Sequence, residues 1–107
     1  AYNCSGSARE FLTCAHAVEM AGMSCWRGSA LELGIAQAAG LHAAAAARCC
    51  TMSSDFQSAV IREHVLTDWD WPYSNGFLPL PERPGLGVEL DMKALAHYLK
   101  AHATFAA

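Results

Sequence analysis

The stretch CWRGSALELGIAQAAGLHAAAAA, residues 25–47, carries the reading of the fold. It opens on the end of a short, largely apolar run, residues 23–27, that suits a buried strand, although so brief a run does not separate strand from helix by period. Gly28-Ser29 then makes a turn. Ser29 stands three residues before Glu32, the spacing of a capping box, in which a hydroxyl and a carboxylate satisfy backbone N–H groups at a helix start. The helix this opens is expected to run to about Arg48, with Leu31, Ile35 and Ala38 along one stripe. Gly34, Gly40 and the alanines at 43–47 make it thin. Glycine inside a helix costs roughly 1 kcal/mol against alanine, a cost that close packing on a neighbouring element offsets.

The same order stands upstream. Residues 1–4 read as the tail of a strand, Ser5-Gly6-Ser7 as a turn, and Ser7 to Glu10 as another capping box. Phe11, Leu12, Ala15 and Val18 follow on one helical face, and Gly22 is a C-terminal stop. Strand end, turn, helix, strand, turn, helix is the rhythm of βα units on a parallel sheet, so the fold class is expected to be α/β. In such folds ligands sit at the carboxyl ends of strands, facing helix N-termini. Both glycine-serine turns belong to that face.

Downstream the character changes. Residues 55–64 read as a short helix and residues 67–72, TDWDWP, as an acidic-aromatic loop. Asn75-Gly76 is a strong turn signal, with short extended pieces at 77–80 and 88–90. Pro79, Pro81 and Pro84, with Gly85 and Gly87, forbid a long helix there. Asp91 is a good N-cap for a last helix on Leu95, Tyr98, Leu99 and His102.

Composition narrows the classes. Of 107 residues, 53% are hydrophobic and 16% charged, enough apolar material for a core and too little charge for a disordered tail. A net charge of -3 favours neither nucleic acid nor an anionic membrane as a partner. No apolar run approaches the ~18 residues that span a bilayer. No positive segment followed by an apolar stretch opens the chain, so no signal peptide is expected, and Ala1 in place of Met fits a processed or cut product. Cys4, Cys14, Cys25, Cys49 and Cys50 are odd in number and form no regular framework. They read as free thiols in a reducing cytoplasm.

Residues 25–47 resemble the last barrel strand and helix of the mandelate racemase and muconate-lactonizing group of the enolase superfamily. In that group a Gly-Ser or Gly-Thr pair leads to a Glu and then a Gly-Ile pair, with Leu-His in an alanine-rich helix. Gly28, Ser29, Glu32, Gly34, Ile35, Leu41 and His42 match that order. PERPGLGVELD, residues 81–91, is similar to the group's C-terminal segment, and Cys50-Thr51 and Ser53-Ser54-Asp55 fit the connection.

The resemblance implies one partial domain over 1–107. Residues 1–50 would be the last βα units of a (β/α) barrel, helix-rich in isolation. Residues 51–107 would return toward a capping domain and end in a helix. It further implies a parent isomerase or lyase that removes a proton next to the carboxylate of a small-molecule substrate. Mg2+ would stabilise the enolate-like charge where it develops. A whole barrel takes roughly 250 residues. The magnesium ligands and the group's lysine pair would therefore lie outside this chain, which alone is expected to be inactive. The missing capping domain and barrel strands are its expected partners, with self-association of the fragment through its uncovered sheet edge and apolar faces.

Four residues are carried over as candidates. Glu32 matches the glutamate after the last barrel strand, which in some members hydrogen-bonds the substrate carboxylate or enolate; its plainer role is to close the capping box on Ser29. Arg27, at the mouth of the last strand, suits a bidentate pair with an anionic substrate, or simple solvation. Ser29 belongs to the same turn. Cys4 stands where many lactonizing and epimerase members have a Lys before a Gly-Gly pair, and Ser7 replaces the second glycine. A cysteine cannot serve as that lysine, which puts a two-lysine mechanism in doubt.

The remaining motifs are weak. His16 lies two residues from Cys14, a poor spacing for ligands on one helix face, and Cys49-Cys50 has no Cys-x-x-Cys partner. His42 reads as a packed helix histidine rather than a base. A competing class is a non-catalytic helical binding or assembly module descended from the same family, in which these motifs serve structure alone.

Overall fold

The computed structural model describes residues 6–56, 63–67 and 73–100. The strand tail expected at 1–4, most of the helix expected at 55–64, Trp69 and Trp71 of the acidic-aromatic loop, and His102 lie outside the described residues.

Helix α1 spans Ala8–Met20, and its N-cap is Ser7. The Ser7 hydroxyl accepts from the Glu10 backbone N–H at 3.2 Å, as the capping-box spacing requires. The far end closes as a Schellman motif around Gly22, whose φ is +68°. There Met23 N–H donates to the Val18 carbonyl at 3.1 Å and Gly22 N–H to Glu19 at 2.9 Å.

Helix α2 spans Gly34–Ala46, shorter at its start than the sequence suggests. Its N-cap is Leu33, with no side-chain cap. The expected capping box from Ser29 to Glu32 is therefore not a helix cap, because those residues spend their hydrogen bonds inside the preceding loop. Of the expected stripe only Ala38 is buried. Gly34, Gln37, Ala38, Gly40 and Ala43 face inward, whereas Leu31 and Ile35 are exposed. A face of small residues lets neighbouring chain approach α2 closely.

Helices α1 and α2 pack on each other. Their shared core is Phe11, Ala15, Cys25, Ala43, Ala47 and Cys49, flanked by Leu12, Val18 and Cys50. Only one of the six buried members has a large side chain. Met20, Met23, Phe77 and Met92 are each more than half exposed.

The parallel sheet expected from the βα rhythm is not present among the described residues, which contain no strand. A strand needs a ladder partner. Residues 23–27 find only a local one: Cys25 N–H donates to the Cys49 carbonyl at 2.8 Å, and Met52 N–H to the Cys25 carbonyl at 3.3 Å. The rest of the pairing is isolated bridges. Ser74 and Phe77 bridge across Asn75-Gly76, both of which have positive φ, so this turn stands where the sequence puts it. Leu66 bridges Leu90 in antiparallel sense.

Helix α3 spans Met92–Tyr98, with Asp91 as the N-cap accepting from Lys93 and Ala94 N–H. It stops short of the Leu99 expected within it, and it buries no residue. No described helix is long and apolar enough to cross a membrane.

Beyond its bridge to Leu66, the 81–91 segment also meets α2. His42 Nε2 meets the Leu86 carbonyl at 3.1 Å, consistent with a packed helix histidine. Buried Gly87 has φ +71°, and a Cβ there would collide with Pro81 Cβ. L-residues lose roughly 1–2 kcal/mol in that region of φ, and the collision adds to it. Gly87→Ala is therefore expected to destabilise the chain by ~2 kcal/mol or more, read as a lowered urea midpoint at unchanged slope.

Candidate functional site

Residues 28–33 link the extended segment 23–27 to α2, and Ser29 and Glu32 within them form one polar knot with Arg27. Glu32 is its centre. Its Oε2 accepts from the Ser29 hydroxyl at 2.9 Å and from Ala30 N–H at 2.7 Å. Its Oε1 accepts from Arg27 Nη2 at 3.3 Å. Leu31 N–H in turn donates to Ser29 Oγ at 3.1 Å. Satisfying these contacts puts Leu31 at φ +60°, a left-handed conformation that a leucine adopts at a cost. Such strain persists only where the surroundings over-determine it, and it concentrates at functional sites.

The connection after α2 clamps this knot from outside. Arg27 N–H donates to Ser54 Oγ at 3.1 Å, and Ser29 N–H to Asp55 Oδ1 at 3.0 Å. Ser29 N–H is the donor that a capping box would have given to Glu32. Its capture by Asp55 is the direct reason Glu32 does not cap.

Arg27 and Glu32 are mostly buried, with side-chain exposures of 14% and 13%. Burial alone would raise the Glu32 pKa. Its own backbone N–H, the Ser29 hydroxyl, the Ala30 N–H and the Arg27 guanidinium outweigh that, and the carboxyl sits below its ordinary value of 4.5. Glu32 is therefore an ionised acceptor at neutral pH, not an acid or base poised near 7.

Arg27 also lines a cleft of about 160 Å³ with Gly6, Ser7, Phe11 and Gly40. A Cβ on Gly40 would stand 3.2 Å from Arg27 Nε and Nη2, so the glycine makes room for the guanidinium against α2. Arg27 Nη1 is buried with no hydrogen-bond partner. A larger hollow, about 640 Å³, lies elsewhere and is lined by Leu41, Met52, Phe56, Tyr73 and Phe77 among others. It contains neither Arg27 nor Glu32.

Sequence matching to the enolase family model, described as enolase C-terminal domain-like, covers residues 3–94. The chain belongs to the enolase C-terminal domain-like family. No curated protein and no solved structure matches it. Within this enolase C-terminal domain-like chain the candidates Arg27, Ser29 and Glu32 stand together. Cys4 lies outside the described residues.

Among the described residues no group of three or more His, Cys, Asp or Glu side chains could hold a metal ion. The described part of this enolase-superfamily segment thus does not fit a magnesium site. Sequence reading singles out Gly40 as a point of close packing, where Arg27 now lies, but not Gln37. The amide of Gln37 is fully buried on α2, and neither its Oε1 nor its Nε2 has a partner. A polar residue one helical turn before the Leu-His pair, on the same face as Gly34 and Gly40, was the available signal.

Proposed function

We propose that this chain is the closing part of the catalytic barrel of a magnesium-dependent enzyme of the mandelate racemase and muconate-lactonizing type, which abstracts a proton α to a substrate carboxylate. The observation that carries this reading is Arg27. One of its guanidinium nitrogens is buried with no hydrogen-bond partner among the described residues, and the side chain lines a cleft beside the start of α1. A planar, permanently charged fork in such a place suits a carboxylate.

In this reading Arg27 binds the substrate carboxylate, Ser29 and Glu32 hold the guanidinium and the loop in place, and Cys4 stands at the neighbouring strand end. Glu32 could donate a hydrogen bond to substrate only when protonated, which the donors around it oppose. Its effect on the reaction is therefore electrostatic, exerted through Arg27. The ligands for magnesium would lie outside this chain, and the ion would supply charge stabilisation where negative charge develops.

The chain alone is then inactive and belongs in the cytoplasm with the rest of its barrel and a capping domain. In their absence its exposed methionines and Phe77 favour self-association. The test is solvent-deuterium exchange at the carbon beside the carboxylate, followed by NMR over a panel of carboxylic acids with the complete protein. Magnesium-dependent exchange supports the proposal. A folded complete protein that exchanges none of the panel favours the non-catalytic module.

A further inference from the structure

Behind the Arg27 knot, in the core between α1 and α2, lie two thiols that the enolisation reading does not use. Cys25 Sγ and Cys49 Sγ are 3.4 Å apart, and both residues are buried. Cys49 Sγ also donates to the Ala15 carbonyl at 3.1 Å, which leaves its sulfur lone pairs facing Cys25. Backbone holds the two segments in register, because Cys25 N–H donates to the Cys49 carbonyl at 2.8 Å. A sulfur pair so placed needs a shift of little more than 1 Å to reach the ~2.0 Å of a disulfide bond.

A cleft of about 140 Å³ reaches Cys49 between Ala15, His16, Glu19 and Arg48. A water-sized molecule needs only ~10–15 Å³ of such space, so a small peroxide can enter. Cys14 and Cys50 do not share this arrangement: Cys14 is exposed on α1, and Cys50 is half-buried beside the pair.

We propose that Cys25 and Cys49 form a reversible dithiol–disulfide site whose oxidant is hydrogen peroxide. Cys49 gives its proton to solvent and, as thiolate, attacks one peroxide oxygen. The O–O bond breaks, hydroxide leaves and takes up a proton as water, and Cys49 becomes a sulfenic acid. The Cys25 sulfur then attacks the Cys49 sulfur. The S–S bond forms, and the departing hydroxyl takes the Cys25 proton as a second water. One peroxide is reduced, two thiols are oxidised, and a thiol reductant reverses the change.

Burial, and then the neighbouring Cys25 sulfur, push the Cys49 thiol above its ordinary value, so its thiolate is scarce at neutral pH and the reaction is slow. The bond would tie residues 23–27, which carry Arg27, to the far end of α2. This site is independent of the proposed enolisation.

The test uses the complete folded protein, treated with hydrogen peroxide, blocked with an alkylating reagent and digested with trypsin without reductant. Cleavage after Arg9, Arg27, Arg48 and Arg62 puts Cys25 and Cys49 on separate peptides. In a C14S/C50S variant the pair is the one possible link between those peptides. The expected product is the linked species, two hydrogens lighter than the sum of its parts and split by reductant. In C25S, Cys49 should instead stop at a sulfenic acid that a 1,3-dione traps. Recovery of both peptides fully alkylated after peroxide treatment, in the variant or in the wild type mapped by tandem fragmentation, would overturn the proposal. The wild-type map decides the matter even where a serine variant does not fold.

Discussion

Arg27→Met in the complete enzyme is expected to lower kcat/KM by roughly 10- to 100-fold, the value of one charge-assisted contact to a carboxylate. The loss should fall mainly on KM if Arg27 holds the carboxylate equally in ground and transition states, and on kcat if the contact tightens as charge develops. Arg27→Lys should recover little, because a single ammonium replaces a planar fork that meets Glu32 through Nη2 and leaves Nη1 for a second partner. The substitution also has a structural cost. Removing the cation leaves Glu32 mostly buried without its counter-charge, so a stability loss of ~2–3 kcal/mol accompanies the kinetic one. Steady-state kinetics at temperatures well below unfolding separate the two. An Arg27→Met enzyme that is less stable yet keeps its KM and kcat would show that Arg27 serves structure alone.

Glu32→Gln is expected to lower unfolding free energy by ~2 kcal/mol at neutral pH, less than the 3–5 kcal/mol of a fully buried pair because part of the pair meets solvent. The amide keeps an acceptor for Ser29 or Ala30 but turns N–H toward Arg27 or the Ala30 amide, where a donor is already present. The pH dependence identifies the cause. The Glu32 carboxyl lies below its ordinary value of 4.5 in the folded chain. The unfolded state therefore takes up its proton first as pH falls. The stability this group contributes is present in full above the unfolded value and is lost as pH drops through the lower folded value. Urea titrations between neutral and strongly acid pH should show that acid loss in wild type and a smaller one in Glu32→Gln. Equal acid limbs would mean that other carboxylates carry the effect.

The parts of this molecule that were legible in the sequence are those fixed by local chemistry. Ser7 caps α1, Gly22 closes it, Asn75-Gly76 turns the chain, and Asp91 opens α3, because each depends on residues within a few positions. The start of α2 was misread for a different reason. A capping box assumes that the Ser29 N–H is free for Glu32, and a residue 26 positions away, Asp55, takes it. The strand at 23–27 was misread because a strand is a property of a pair. Its apolar run has no laddered neighbour among the described residues; Cys49 and Met52 share backbone hydrogen bonds with Cys25 alone. The stripe of Leu31 and Ile35 faces outward because α2 presents its glycines and alanines to α1 and to Arg27 instead.

The candidate site was half legible. Family resemblance brought out Ser29 and Glu32, and the end of the expected strand brought out Arg27; the three share hydrogen bonds, but neither signal could foresee their direction of use. Glu32 points its oxygens at Arg27, Ser29 and Ala30, so it organises the loop. The Cys25–Cys49 pair was invisible, since nothing in a spacing of 24 residues brings two thiols together until the segment after α2 folds back on 23–27.

In the proposed function this enolase C-terminal domain-like chain completes a larger catalytic barrel. Reading the coding sequence upstream of Ala1 tests it most directly. The expected result is an open frame that continues for on the order of 200 codons or more and encodes a lysine pair followed by three spaced carboxylates. A start codon immediately before Ala1 would contradict it.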